Sequence, residues 1–158
     1  MDLLPDLVRP VGAANAFGLV GGTKNLPGPG KRPLSSMAPT IVLDHDGKVV
    51  LVLGSPGGAK IITAVLQVLS NVLDFKMPLE EAVGAPRFHH QWRPDELIVE
   101  EGVSRATVEE LALKRGHVVR IVRRDQEPLG EVQAVQVLPS GQRVAATDPR
   151  GIGRPAVN

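Results

Sequence analysis

TIVLDHDGKVVLVLGSPGGAKIITAVLQVLSNVL, Thr40 to Leu73, decides the fold of this chain. Asp46-Gly47 is a strong turn signal between two segments rich in Val, Leu and Ile. Ile41 to Leu43 and Lys48 to Leu53 therefore read as the arms of a β-hairpin. Both arms are nearly continuous in apolar residues, which predicts a sheet covered on both faces. Gly57-Gly58 then opens a helix running to about Leu73. Ile61, Val65, Leu69 and Val72 form one stripe, and Ile62, Leu66 and Leu73 widen it, so the pattern predicts a buried helix.

Downstream, a short helix is expected near Pro78 to Val83, then a loop, APRFHHQW, over Ala85 to Trp92, and a strand over Leu97 to Val99. Ser104 suits an N-cap for a helix over Arg105 to Arg115, with Gly116 as its stop. Val118 to Val122 reads as a strand. Val132 to Leu138 and Arg143 to Ala146 read as a second hairpin around Pro139-Ser140-Gly141. This order predicts an α/β or α+β sandwich. Upstream, residues 1–30 are dense in Pro and Gly and carry no period, so they read as an irregular segment, either a leader or a functional lid. The division expected is 1–30 for this segment, 31–150 for the folded domain and 151–158 for a Gly/Pro-rich tail.

With 158 residues the chain can bury one real core. A formal net charge of +1 is too weak a bias to argue for nucleic acid or an anionic membrane as a partner; neither nucleic acid nor a membrane span is expected. At 3% aromatic residues and no Tyr there are few platforms for stacking bases. The absence of Cys removes disulfides, thiol catalysis and thiolate metal sites, but identifies no compartment. No apolar run is long enough to span a membrane. MDLLPDLVRP at the start carries acids where a signal peptide carries bases.

Two clusters suit chemistry. Gly57 and Gly58 lack a Cβ and open a helix whose first N–H groups have no intrahelical partner. They read either as a tight strand-to-helix turn or as an oxyanion hole. GSPGG lacks the Lys-Ser/Thr that a phosphate-binding P-loop needs. Ser35 and Ser36 follow Lys31-Arg32 and precede the first strand. They read either as a polar turn or as two hydroxyl donors for a carboxylate. Neither sits in a GxSxG nucleophile elbow. His45, His89, His90 and His117 show no metal-ligand spacing and are expected to be structural. Arg87 and Trp92 are expected to lock the 85–92 loop, while Glu100-Glu101, Glu109-Glu110 and Arg123-Arg124 read as solvated charges.

Taken in order, FGLVGG (Phe17 to Gly22), GKRPLSSMAPTIV (Gly30 to Val42), GSPGGAKIIT (Gly54 to Thr63), APRFHHQWRPDEL (Ala85 to Leu97) and TDPR (Thr147 to Arg150) resemble the small, catalytic subunit of the γ-glutamyltransferases, or glutathione hydrolases. KRPLSSM followed by GSPGG is the most specific part of the match. The resemblance implies an α+β fold, part of the αββα sandwich of N-terminal-nucleophile hydrolases. It implies transfer or hydrolysis of γ-glutamyl groups, as from glutathione, through a γ-glutamyl-enzyme, with no cofactor and no metal. By it, Ser35 and Ser36 bind the substrate α-carboxylate, Gly57 and Gly58 supply oxyanion N–H groups, and Asn15 to Gly18 belong to a lid with Phe17 at its gate. The substrate ammonium needs an acid just ahead of the lid; Asp6 is favoured for it over Asp2. The family's attacking group is an N-terminal threonine that none of Thr23, Thr40, Thr63, Thr107 or Thr147 can replace by position. The nucleophile and the large subunit, with its carboxylate-binding Arg, are therefore expected upstream. Taken alone, the chain could instead be a catalytically inactive relative that binds or supports. The family is often periplasmic or secreted; the sequence leaves the compartment open.

Overall fold

In a computed structural model, which describes residues 11–15, 17–32 and 34–156, the hairpin forms as expected. Strand β1 (Thr40–Leu43) and strand β2 (Val49–Gly54) pair antiparallel, with Thr40 opposite Leu53 and Ile41 opposite Val52. The Asp44 carboxylate accepts the N–H groups of Asp46 and Lys48, both at 2.9 Å, and Gly47 takes a φ of +78° that favours glycine. The ladder runs in regular register over Thr40 to Val42 and shifts between Val42 and Leu43.

Helix α1 (Lys60–Leu73) and helix α2 (Leu79–Gly84) follow. Strand β3 (Phe88–His89), two residues long, lies inside what reads from sequence as a loop, and it pairs antiparallel with β4 (Leu97–Glu100). Ser104 caps helix α3 (Arg105–Glu109), accepting the Thr107 N–H at 3.1 Å. The helix then widens into a π-helical turn, Glu110–Lys114, and ends at Gly116, φ +75°. Strand β5 (Val119–Val122) returns parallel to β4. Strands β6 (Gln133–Val137) and β7 (Arg143–Thr147) form the second hairpin. Two sheets result: an antiparallel one in the order β1-β2-β6-β7, and a mixed one in the order β3-β4-β5. The fold is mixed α/β.

The main core lies between the four-stranded sheet and helices α1 and α2. Leu51, Leu53, Ala134 and Ala146 meet Ile61, Ala64, Val65, Val68 and Val72, with Leu79, Ala82 and Val83 closing the end. Burial of this apolar surface is the main favourable term in folding.

Two expectations are corrected here. The hairpin is covered on one face within the described residues: Ile41, Leu43 and Val52 point away from the helices and are exposed. Helix α1 is likewise buried along one stripe, while Ile62 and Leu66 are 54% and 60% exposed. An apolar run states that a residue tolerates burial, not which element covers it. No helix of the described residues is long and apolar enough to cross a membrane.

Candidate functional site

The glycine turn between β2 and α1 is built by conformations that only glycine adopts easily. Gly57 has φ +135° and Gly58 φ +59°. Their carbonyls accept the N–H groups of Lys60 (3.1 Å) and Ile61 (3.2 Å), which starts the helix. Their own N–H groups have no acceptor among the described residues. The approach on both is close. A Cβ on Gly57 would stand 3.2 Å from the Gly130 Cα, and one on Gly58 would stand 2.6 Å from the Phe17 ring. Ser55 braces the turn, donating to the Pro56 carbonyl at 2.7 Å and accepting the Glu131 N–H at 2.9 Å.

Phe17 sits on a small folded loop. The Asn15 side chain accepts the N–H groups of Phe17 (2.8 Å) and Leu19 (3.0 Å), and an isolated bridge joins Ala14 to Val20. Thus this loop brings the Phe17 ring onto Gly58. Ala16, Asp6 and Asp2 lie outside the described residues.

Ser35 and Ser36 reach the same end of the sheet through the hairpin register. Thr40, the first residue of β1, is opposite Leu53 in β2. Ser36 lies four residues before Thr40 and Gly57 four residues after Leu53. A stretch of that length spans at most about 14 Å. Ser35 is exposed, and its hydroxyl accepts the Met37 N–H at 3.2 Å in a local turn; Ser36 is half-buried. No hydrogen bond among the described residues joins either serine to the glycine turn. Lys31 folds back on its own loop, donating to the carbonyls of Leu26 (3.1 Å) and Lys24 (3.4 Å).

Beside Phe17 opens a cavity of about 220 Å³, lined in part by Lys60, His89, Gln91, Arg120 and Glu127. Its charges pair with one another: Lys60 with Glu127 at 3.0 Å, and Arg120 with Glu127 at 2.6 Å and Glu96 at 2.7 Å. Hydrogen bonds from Arg120 hold the Glu127 carboxyl down to about 2, and the same contacts raise the Arg120 guanidinium above its ordinary value. A second cavity, about 430 Å³, lies on the outer face of the four-stranded sheet between Val52, Val135 and the Arg154–Ala156 tail.

Beneath α2 lies a charge cluster that sequence reasoning missed. Arg87 pairs with Asp148 at 2.6 Å; Arg150 pairs with Asp148 at 2.9 Å and with Glu100. All four side chains are buried. The expectation that Glu100 is a solvated charge is therefore wrong; it is 0% exposed and accepts the Arg87 N–H at 3.0 Å. Arg87 also donates to the carbonyls of Val83, Leu129 and Gly130, fixing the start of the 85–92 loop to the segment packed against Gly57. Trp92, expected to pack that loop, is 70% exposed, with the Arg93 guanidinium 4.4 Å over its ring centroid. The available signal for the cluster was a Glu closing the apolar run LIVE, with APR and DPR triplets elsewhere in the chain.

The comparisons with known proteins agree on one family. The family model described as gamma-glutamyltranspeptidase matches residues 4–158. The chain is 49% identical over 149 residues to the glutathione hydrolase proenzyme of Escherichia coli, covering 94% of this chain and 25% of that protein. It is 44% identical over 156 residues to that of Pseudomonas aeruginosa, covering 96% of this chain and 27% of that one. Among solved structures, gamma-glutamyltranspeptidase from Pseudomonas nitroreducens, complexed with L-DON, superposes with a TM-score of 0.84 at 42% identity, over 99% of this chain and 80% of that chain. That of Helicobacter pylori gives 0.81 at 48% identity, over 95% and 80%. The chain spans about a quarter of the length of the curated relatives it matches.

Proposed function

Since the chain belongs to the gamma-glutamyltranspeptidase family of γ-glutamyltransferase and glutathione hydrolase enzymes, we propose that it forms the substrate-binding part of such an enzyme. It acts with a segment outside this sequence that supplies the attacking threonine and completes the αββα sandwich. The threonine hydroxyl adds to the γ-carbonyl carbon of a donor such as glutathione. The carbonyl oxygen becomes an oxyanion, and the amine then leaves with the proton that the hydroxyl gave up. Water or an amino acid next takes the γ-glutamyl group from the enzyme.

In this reading Gly57 and Gly58 donate their N–H groups to the oxyanion. Ser35 and Ser36 donate to the α-carboxylate, Asp6 pairs with the α-ammonium, and Phe17 roofs the pocket. The observation that carries it is the glycine turn itself: two main-chain N–H groups without an acceptor among the described residues, at the start of α1, under an aromatic ring. One such donor contributes about 3 kcal/mol to transition-state binding.

The test is release of p-nitroaniline from γ-glutamyl-p-nitroanilide. The chain joined to its upstream portion is expected to turn over, and the chain alone is not. Robust release by the purified chain alone refutes the assignment of the nucleophile to another segment. No release by the joined protein refutes the enzymatic reading and leaves a binding role.

A further inference from the structure

We propose that Gln91 is a positioning residue that seats the Phe17 loop on the glycine turn, and that His89 and Thr63 aim it. The proposal deepens the reading above and rests on it only for the role of Phe17 in the pocket.

The Gln91 amide donates from Nε2 to the Phe17 carbonyl at 2.7 Å and to the Arg93 carbonyl at 3.1 Å. Two carbonyl acceptors fix which end of the amide is nitrogen. Its Oε1 must then face His89 Nε2, 2.9 Å away, so that ring nitrogen carries a proton. His89 is 2% exposed, and burial, assisted by Lys60, disfavours its charged form. The charged or titratable groups acting on it are Lys60, His90 and Glu127. A neutral ring protonated at Nε2 leaves Nδ1 bare, and the Thr63 hydroxyl donates to it at 2.8 Å. That hydroxyl has one proton, so the alternative acceptor, the Lys60 carbonyl at 3.1 Å, yields to the shorter bond.

The result is one directed chain of donors: Thr63 to His89, His89 to Gln91, Gln91 to Phe17. It starts in the first turn of α1, directly after Gly57-Gly58, and ends on the residue whose ring covers Gly58. Bonds arranged head to tail polarise and strengthen one another. Apart from the ring contact, Gln91 is the described side chain outside the loop that grips Phe17, across 74 residues of sequence. The loop's own bonds set its shape; the Gln91 bond sets where it sits.

The test uses the 158-residue chain labelled with 4-fluorophenylalanine. Its three phenylalanines, Phe17, Phe75 and Phe88, give three fluorine resonances, and Phe17→Leu assigns the first. Gln91→Glu keeps an acceptor for His89 and removes the donor to Phe17. The ratio of seated to unseated ring is expected to fall about tenfold, moving the Phe17 resonance toward its position in denaturant while that of Phe75 stays. Thr63→Val is expected to move Phe17 the same way by a smaller amount, and Thr63→Ser to restore it. An unmoved Phe17 resonance in folded Gln91→Glu overturns the proposal. So does a Thr63→Ser chain that behaves as Thr63→Val, and the Thr63 pair decides alone if Gln91→Glu does not fold. In the joined enzyme, Gln91→Glu is expected to raise KM for γ-glutamyl-p-nitroanilide more than it lowers kcat. A displaced ring with unchanged kinetics keeps Gln91 as the seat of the loop and removes Phe17 from the pocket.

Discussion

Glu100→Gln should destabilise this protein strongly, and the structure sets the size of the effect. Glu100 Oε1 accepts from Arg150 Nε at 2.7 Å and from the Leu129 N–H at 3.4 Å; Oε2 accepts from the Arg87 N–H at 3.0 Å and from Arg150 Nη2. Two guanidiniums and two carboxylates balance in this buried cluster. Glutamine leaves it with a net positive charge and turns an NH₂ group toward donors. Removing one partner of a buried pair costs about 3–5 kcal/mol. For a domain of this length 1 kcal/mol moves Tm by about 2–4 °C, so a drop of about 6–20 °C is expected by circular dichroism at neutral pH. Glu101→Gln, next in sequence but exposed, should stay within about 0.5 kcal/mol of the parent.

The pH profile gives a second signature. Burial alone would raise Glu100, but hydrogen bonds and charge from Arg150 outweigh it and hold the carboxyl below 4.5. Burial likewise works against Asp148, and Arg87 and Arg150 hold it below 3.8. A carboxyl depressed in the folded state contributes stability that is present above its unfolded value and lost as pH falls through the folded one. The parent should therefore lose stability below about pH 4.5, and Glu100→Gln should lose less over that range. Equal melting of Glu100→Gln and Glu101→Gln, with parallel acid limbs, refutes the reasoning.

Gly58→Ala places a Cβ within 2.6 Å of the Phe17 ring and a side chain at φ +59°, so it should displace the ring and reduce kcat in the joined enzyme by about tenfold or more; an unchanged kcat removes the oxyanion role. Ser35→Ala with Ser36→Ala should leave Tm within about 2 °C, because the described bond lost is one local turn contact, yet weaken binding of a glutamate analogue by calorimetry; equal affinity contradicts the carboxylate assignment. His89 is held below 6.5 by burial first. A base depressed in this way contributes stability that is present above its unfolded value and lost as pH falls through the folded one, so stability should begin to decline below about pH 6.5 in the parent and not in His89→Gln, measured by urea unfolding.

Local signals were legible in the sequence wherever one residue dictates the backbone. Asp46-Gly47 marked the turn, Ser104 and Gly116 bounded α3 with its π-helical turn, and Gly57-Gly58 marked the break before α1. What stayed hidden depends on partners distant in the chain. Ile41, Val52, Ile62 and Leu66 read as core because an apolar side chain carries no record of what lies across from it. Glu100 read as solvent-facing because its partner, Arg150, is 50 residues away. The two-residue strand β3 fell below the length at which any period is visible.

The same distinction separates the two halves of the proposed pocket. The glycine turn is fixed by its own dihedral angles and by Gly130 and Phe17 packed against it, so its N–H groups are presented by the fold itself. The serines arrive by register: pairing of Thr40 with Leu53 brings the segment before β1 and the segment after β2 to one end of the sheet. A one-residue slip in that pairing would turn Leu51 and Leu53 out of the core, which their burial opposes strongly. The hydrophobic core thus enforces the register that carries the serine segment and the glycine turn to one end of the sheet. A substrate bound at that end would draw on a register set by packing on the helix-covered face of the sheet.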